Sequence, residues 1–475
     1  METINDQNRF IVDMFNLDYD DVESINYQNI NNIAYFKIKL IAKKEACPAC
    51  GFTSPLIKNY IEKRINHSAL SNRPVIIQYL ARRYICPICH KTYYEANPFV
   101  FNKQKISTLT ITNCLNDLKD PTETFSGIAR RYNISPTSVS SIFDKHVTPS
   151  RLTLPEVINF DEVYAFRSKN SKYVCILLDY QSQIPIDILP SRRIEDLEKY
   201  FRNIPLSERR KVKIASFDMY DGYRTITKNF LPNALCSLDK FHLIQEFNRK
   251  LNSIRIRVMK GKRYGEDEYY LLKHFNYLLF KNLDTKDKKG KLIFDYDYER
   301  KHNRHFDDYF NYYDLRKKIL ETSSELKEAY KLKEELHIFF KYNNYDSAKT
   351  EINTLIRSFL QSSIDEMNAF GRTLRKWKDE IINSFLIVNN VYMINNETGE
   401  VEIDPKHINN AIIENRNKII KAIKHNANGY TNWERFRKRV LYVLRPNENY
   451  RLNPTDLERI VIPEYKGTKA EEKPV

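Results

Sequence analysis

Val157-Ile158-Asn159-Phe160-Asp161, answered by Val212-Lys213-Ile214-Ala215-Ser216-Phe217-Asp218, is the stretch from which the fold is read. Each run is apolar, β-rich and short enough for a strand, and each ends in an aspartate. Between them lie two more strand-like runs, Tyr173 to Asp179 and Ile184 to Leu189, joined by the polar turn Tyr180-Gln181-Ser182-Gln183. A helix-like segment from Ile194 to Arg202 follows, and a fifth strand, Ala234 to Leu238, ends at Asp239. If the first and fourth strands lie side by side, Asp161 and Asp218 meet at their ends. Two carboxylates held together repel unless a cation joins them, and hard oxygen ligands favour Mg²⁺ or Mn²⁺.

A third acid is sought downstream. Asp404-Pro405 carries a helix-start signal, with Asp as N-cap and Pro at the first position. It predicts a helix to about Lys424 with Ile408, Ile412, Ile419 and Ile423 as the buried stripe. Ala411, Glu414, Lys418 and Lys421 then share another face, one acid beside two lysines, as suits a metal ligand next to a phosphate backbone. Asp239 and His242 read either as groups that support this site or as extra ligands; equally, Asp239 reads as the cap of a helix starting near Phe241. Asp221 and Glu162 read as structural, the latter because it points to the other side of its strand from Asp161.

Upstream, Cys47-Pro48-Ala49-Cys50 is matched by Cys86-Pro87-Ile88-Cys89 across a strand-rich span from Val75 to Ile85. Two such knuckles can place four thiolates around one structural Zn²⁺, leaving no open position for catalysis. A reducing cytoplasm disfavours the competing disulfides. His90 is the alternative ligand, and Arg82 and Arg83 are offered to phosphates or to solvent. Cys114, Cys175 and Cys236 are isolated and read as core residues. After a loop from Ala96 to Lys105, Thr122 to Tyr132 has helical spacing, Asn133-Ile134 makes a turn, and Ser135-Pro136 starts a second helix. A helix-turn-helix would present Thr137, Ser138, Ser141 and Lys145 outward to DNA. A plain helical hairpin fits the same spacing.

The whole chain has 475 residues, 42% of them hydrophobic, a formal net charge of +16 and a pI near 9.2. That balance points to a polyanionic partner, nucleic acid before membrane, since no apolar run approaches the length of a bilayer span and nothing marks a lipid anchor or signal peptide. A cytoplasmic, nucleoid-associated protein is expected. Few glycines beside abundant Asn, Ile, Lys and Tyr hint at an A+T-rich bacterial genome.

Glu414-Asn415-Arg416-Asn417-Lys418-Ile419-Ile420-Lys421, followed by Ala427-Asn428-Gly429-Tyr430 and Phe436-Arg437-Lys438-Arg439, resembles the C-terminal signature of bacterial insertion-sequence transposases of the ISL-three type. Phe160-Asp161-Glu162, Asp218-Met219 with Tyr223, and Asp239-Lys240-Phe241-His242 match other blocks of that family. The resemblance implies an RNase H-like catalytic core with a DDE triad at Asp161, Asp218 and Glu414, two Mg²⁺ (or Mn²⁺) ions per active site, and double-stranded DNA as partner.

The expected fold is therefore multidomain α/β. A zinc-binding module (1–100) and a helix-turn-helix (101–150) precede an RNase H-like mixed-sheet core (151–258), a mainly helical insertion (259–400), the C-terminal core helices with the third carboxylate (401–445) and a tail (446–475). Asn395 to Gly399 reads as a hairpin turn. In the helix from Trp433 to Leu444, Arg435, Lys438 and Arg439 are expected outside, against phosphate, as are Lys418 and Lys421. The expected activity is cleavage at the element's terminal inverted repeats and strand transfer by a homodimer. Two alternatives stand beside it: a non-catalytic transposase-derived DNA-binding regulator, and an RNase H-like structure-specific nuclease.

Overall fold

The computed structural model describes residues 6–43, 45–53, 55–70, 73–100, 104–166, 171–394, 401–408 and 411–452. The chain forms two compact units, 1–150 together with 419–475, and 151–418.

In the first unit a short helix, α1 (Asp6–Met14), precedes β1 (Val22–Ile30), β2 (Ile33–Leu40), β3 (Leu56–Leu70), β4 (Arg73–Ile85) and β5 (Thr92–Tyr94). The sheet order is β1-β2-β4-β3 with β5 on β4; β2 and β4 run parallel and the other pairs antiparallel. Val75, Ile77, Tyr79 and Ala81 alternate along β4 and are buried, the period a strand imposes. They pack with Phe36, Ile38 and Ile65 under Phe15 and Phe99. Strands β2 and β4 are legible in sequence because of that alternation. Strand β1 is not, because most of its side chains are exposed and polar.

Three helices follow: α2 (Thr108–Asp117), α3 (Phe125–Tyr132) and α4 (Pro136–His146). The Thr124 hydroxyl accepts from the Gly127 N–H at 2.9 Å, so α3 starts three residues later than the spacing suggested. Asn133, at φ 54°, ends α3 in the left-handed conformation that Asn tolerates. Ser135 then caps α4 by accepting from Ser138 N–H at 3.0 Å, with Pro136 at its first turn. Ile111, Leu115, Ile128, Val139 and Phe143 close around Tyr442, which comes from near the end of the chain.

The second unit holds β6 (Val157–Val163), β7 (Val174–Asp179), β8 (Pro185–Leu189), α5 (Ile194–Arg202), α6 (Leu206–Arg209), β9 (Ile214–Phe217), α7 (Asp221–Phe230), β10 (Leu235–Leu238) and α8 (Lys240–Lys260). The sheet order is β10-β9-β6-β7-β8. β6, β7 and β8 are antiparallel, while β9 and β10 run parallel to β6. One face buries Phe160, Leu177 and Phe217 with Phe201, Tyr223 and Phe247 of the helices. On the other, Val157 and Ile214 pack with Tyr180, Val388 and Ile408.

Helices α9 (Asp267–His274), α10 (Tyr312–Glu321), α11 (Ser324–Tyr342), α12 (Tyr345–Leu360), α13 (Asp365–Lys376) and α14 (Lys378–Asn383), with the small hairpin β11 (Lys301–Asn303) and β12 (Asp308–Phe310), form the inserted region. Helices α10 and α11 are separate because Ser323 caps α11 by accepting from Leu326 N–H. Among the described residues the insertion shares the core of the sheet: Leu326, Ile352, Phe359 and Phe370 belong to the same buried cluster as Phe160 and Phe217.

Downstream, the expected helix start at Asp404-Pro405 is overturned. Both residues lie in β14 (Val401–His407), paired antiparallel with β13 (Ile387–Ile394), with Asp404 opposite Val391. The Asx and Pro signal is local, and ladder hydrogen bonds from β13 override it. The predicted turn Asn395 to Gly399 lies outside the described residues. Helix α15 (Ala411–Asn426) starts later than expected, and its buried residues are Ile413, Asn417, Ile420 and Ile423. Ile408 is buried but precedes the helix, Ile419 is only half-buried, and the side chain of Ile412 lies outside the description. Helix α16 (Trp433–Leu444), grouped in the sequence reading with the catalytic core, packs on α2 to α4 instead. The tail from Pro463 to Val475 lies outside the described residues. Among the described residues no helix is long and apolar enough to cross a membrane.

Candidate active site and cysteine centre

The sulfurs of Cys47, Cys50, Cys86 and Cys89 lie within 4.8 Å of one another. Cys47 to Cys89 is 3.6 Å and Cys50 to Cys86 is 3.5 Å, against an edge of roughly 3.8 Å for a tetrahedron with metal–sulfur bonds of about 2.3 Å. Disulfide bonding needs about 2.05 Å, so these are thiol pairs arranged as a metal cradle. The two knuckles are built alike. Gly51 N–H donates to the Cys47 carbonyl and His90 N–H to the Cys86 carbonyl, each at 2.9 Å, with φ of 72° and 59°. His90 thus fills the turn position that Gly51 fills in the first knuckle, and the four cysteines complete a ligand set without it. The Cys47 thiol is pulled down to about 6, chiefly by the backbone N–H of Ala49, which favours the thiolate that binds metal.

Arg82 does not reach out to phosphate. Its guanidinium is buried and donates to Glu95 at 3.0 Å and Glu23 at 3.1 Å, while Glu95 also accepts from Tyr79 OH at 2.7 Å. Arg83, half-exposed, donates to Thr92.

The carboxylates of the second unit are set by strand register. β6 and β9 pair as Val157 with Ile214, Ile158 with Ala215 and Asn159 with Ser216, and the same offset carries Asp161 opposite Asp218. β9 and β10 pair up to Phe217 with Leu238, which carries Asp218 opposite Asp239. Asp161 within β6, with Asp218 and Asp239 one residue past the ends of β9 and β10, therefore fall in one row across the parallel edge of the sheet, at a strand spacing of about 4.8 Å. Alternation puts this row on the face away from Phe160 and Phe217, above the fully buried Asn159, Ser216 and Ser237. β6 continues past Asp161 to Val163, so that aspartate sits inside its strand rather than at its end.

The row is largely buried. Asp161 is 7% exposed and Asp239 is 1%. Asp161 Oδ1 accepts from Glu162 N–H and Oδ2 from the Asn417 side-chain amide, each at 2.7 Å. Burial nevertheless pushes its carboxyl up to about 6. Burial also raises Asp218, with the charge of Asp161 adding to the rise, and burial raises Asp239. Asp218 Oδ1 and Asp239 Oδ2 are buried without a hydrogen-bond partner. Uncompensated buried carboxylate oxygens of this kind fit a hard divalent cation. His242 Nε2 stands 3.7 Å from Asp239 Oδ2, where a protonated imidazole would lower Asp161, Asp218, Glu162 and Asp239 together. Asp239 also caps α8, accepting from Phe241 N–H at 3.1 Å.

Glu414 lies on the first turn of α15, exposed, close enough to Asp239 for its charge to raise that carboxyl. Among the described residues only the four cysteines bring three or more ligand atoms within 4.8 Å of one another. Glu162 turns to Arg192 in an ion pair, and Asp221 to Lys376 at 2.5 Å. Asn417, on the α15 face that reaches Asp161, was missed in the sequence. It sits three residues beyond Glu414, one helical turn on, and that spacing was the signal available.

Of the proposed DNA contacts, Thr137, Ser141 and Lys145 are exposed on α4, whereas Ser138 is half-buried and bonded to Ser135. Lys418 and Lys421 are exposed. The three cations of α16 are not outside as expected. Arg439 is 0% exposed and donates to the carbonyls of Asp120 and Glu123; Arg435 pairs with Asp144; Lys438 donates to the Asp144 carbonyl. The face they occupy packs on the three helices, so they serve that contact.

A transposase family, the DDE transposases of the ISL-three type, matches residues 158–440. The chain belongs to this family. The match opens in the strand of the first aspartate and closes in α16. Over 407 residues the transposase is also 21% identical to the transposase for insertion sequence element IS1001 of Bordetella parapertussis, covering 84% of this chain and 88% of that one. Transposases act on DNA, in keeping with the net charge of +16.

Proposed function

We propose that this transposase binds the terminal inverted repeats of its insertion sequence and catalyses metal-dependent strand cleavage and strand transfer to target DNA. The row of Asp161, Asp218 and Asp239 across the parallel edge of the sheet, with buried oxygens left unbonded, carries the reading. An order of three antiparallel strands flanked by two parallel ones supports an RNase H-like core. Asp161 and Asp218 act as the principal carboxylates and Glu414 as the third, with Asp239 and His242 beside them. Bound there, two Mg²⁺ or Mn²⁺ ions supply charge neutralisation at the scissile phosphate and lower the barrier for the entering and leaving oxygens. Asn417 and the Glu162 N–H orient Asp161, and the walls of β6, β9 and α15 keep the row partly dry, which strengthens its hold on cations.

Helices α3 and α4 act as the helix-turn-helix, with Thr137, Ser141 and Lys145 toward DNA, and Lys418 and Lys421 contact phosphate. The four cysteines hold one structural Zn²⁺. The protein works as a homodimer on double-stranded DNA. Incubation with a labelled element end and a target plasmid in Mg²⁺ tests the proposal: joined products support it, cleavage without joining makes it a nuclease, and binding without either makes it a regulator.

A further inference from the structure

We infer that Asn417 is a positioning residue of the metal centre: its amide holds the Asp161 carboxylate for cation binding, tying the helix of Glu414 to the strand of the first aspartate. This rests on the reading of Asp161 as a metal ligand. Asn417 is buried on α15 and places Nδ2 2.7 Å from Asp161 Oδ2. An ionised carboxylate only accepts, so the amide nitrogen must face it. The other oxygen of Asp161 takes the Glu162 N–H at 2.7 Å. Two donors from different elements thus fix the carboxylate plane, and each oxygen keeps a lone pair for a cation.

The same side chain has a second feature. Asn417 Oδ1 is buried and bonded to nothing among the described residues. A buried amide oxygen beside an acid row is an acceptor for a water in a cation's hydration shell, and Mg²⁺ retains several such waters. One face of the side chain therefore orients a ligand, and the other receives the solvent that a hydrated ion carries. An alanine at this position loses both; an aspartate keeps the shape and the acceptor but turns the donor into a second negative charge against Asp161.

The test uses the full chain, with MgCl2 and MnCl2 as probes. Thermal melting is recorded against metal concentration for wild type, Asn417→Ala, Asn417→Asp and Asp161→Asn, with cleavage of a labelled element end measured in parallel. Wild type is expected to gain Mg²⁺-dependent stability that Asp161→Asn lacks. Both Asn417 variants are expected to need about tenfold more Mg²⁺ for half-maximal stabilisation and for half-maximal cleavage, a loss typical of groups that orient metal ligands. Mn²⁺, which binds mixed ligand sets more tightly, should narrow the gap. If Asn417→Ala fails to fold, the nearly isosteric Asn417→Asp carries the comparison. Half-saturating Mg²⁺ within twofold of wild type in the folded variants overturns the role of Asn417 while leaving the centre intact. A wild type without any Asp161-dependent response to Mg²⁺ removes the metal centre itself, and this inference with it.

Discussion

Arg435 grips Asp144: its Nε lies 3.1 and 3.0 Å from the two carboxylate oxygens and its Nη2 2.5 Å from one of them. The contact fastens α16 to the last turns of α4, beside the Arg439 bonds to Asp120 and Glu123 and the Tyr442 hydroxyl on the Leu115 carbonyl at 3.0 Å. The three helices read as the DNA-binding element thus take part of their core from a segment some 300 residues later in the sequence. Removing Tyr442 opens that core, whereas the Arg435–Asp144 pair is one-third exposed and screened. Tyr442→Ala is expected to cost about 3–4 kcal/mol and Asp144→Ala about 0.5–1 kcal/mol. Urea denaturation, with amide exchange at Leu115 and Ile128 as the local probe, checks both; equal costs would show that Tyr442 is not part of this core.

The cysteine cradle predicts one Zn²⁺ per chain. Cys86→Ser should lower the melting temperature of the N-terminal sheet and raise its exchange rates, because structural zinc supplies folding free energy where it binds. Elemental analysis of freshly purified protein checks the occupancy, and absence of zinc together with an unchanged melt on chelation would refute the assignment.

Stability without metal should fall as pH rises across the Asp161 titration. Its folded-state carboxyl is raised to about 6, above the usual 3.8, so the folded protein binds that proton more tightly than the unfolded chain does. The contribution is fully present below about pH 4 and is lost as pH rises through 6. Asp161→Asn removes this dependence, and should stabilise the metal-free protein at pH 7.5 by on the order of 1–3 kcal/mol while abolishing cleavage. Melts of both proteins between pH 4 and 8 in a chelating buffer decide it; parallel curves would contradict the prediction.

Among the remaining acids, Glu414→Gln should lower cleavage at least 100-fold, Asp239→Asn less, and Asp221→Asn little, since Asp221 is occupied by Lys376 on the surface. Single-turnover cleavage in Mg²⁺, with folding followed by melting, ranks them. Full activity in Glu414→Gln beside an inactive Asp239→Asn would move the third ligand to the end of β10.

The sequence by itself marked the strands of the second unit's sheet and the two cysteine knuckles, while the meeting of Asp161 and Asp218 hung on a strand adjacency that only folding supplies. Strand period, turn residues and Cys-x-x-Cys spacing are local properties that survive in one dimension. Tertiary structure alone decided the rest. The Asp404-Pro405 signal yields to β13 because a ladder of backbone bonds outweighs a single cap, and that pairing starts α15 later and turns Asn417 rather than another acid toward Asp161. Arg82 and Arg439 read as surface cations in sequence; each is buried because carbonyls and carboxylates from distant segments converge on its guanidinium. A charged side chain's burial is set by partners that only folding brings near, and no periodicity along the chain encodes them.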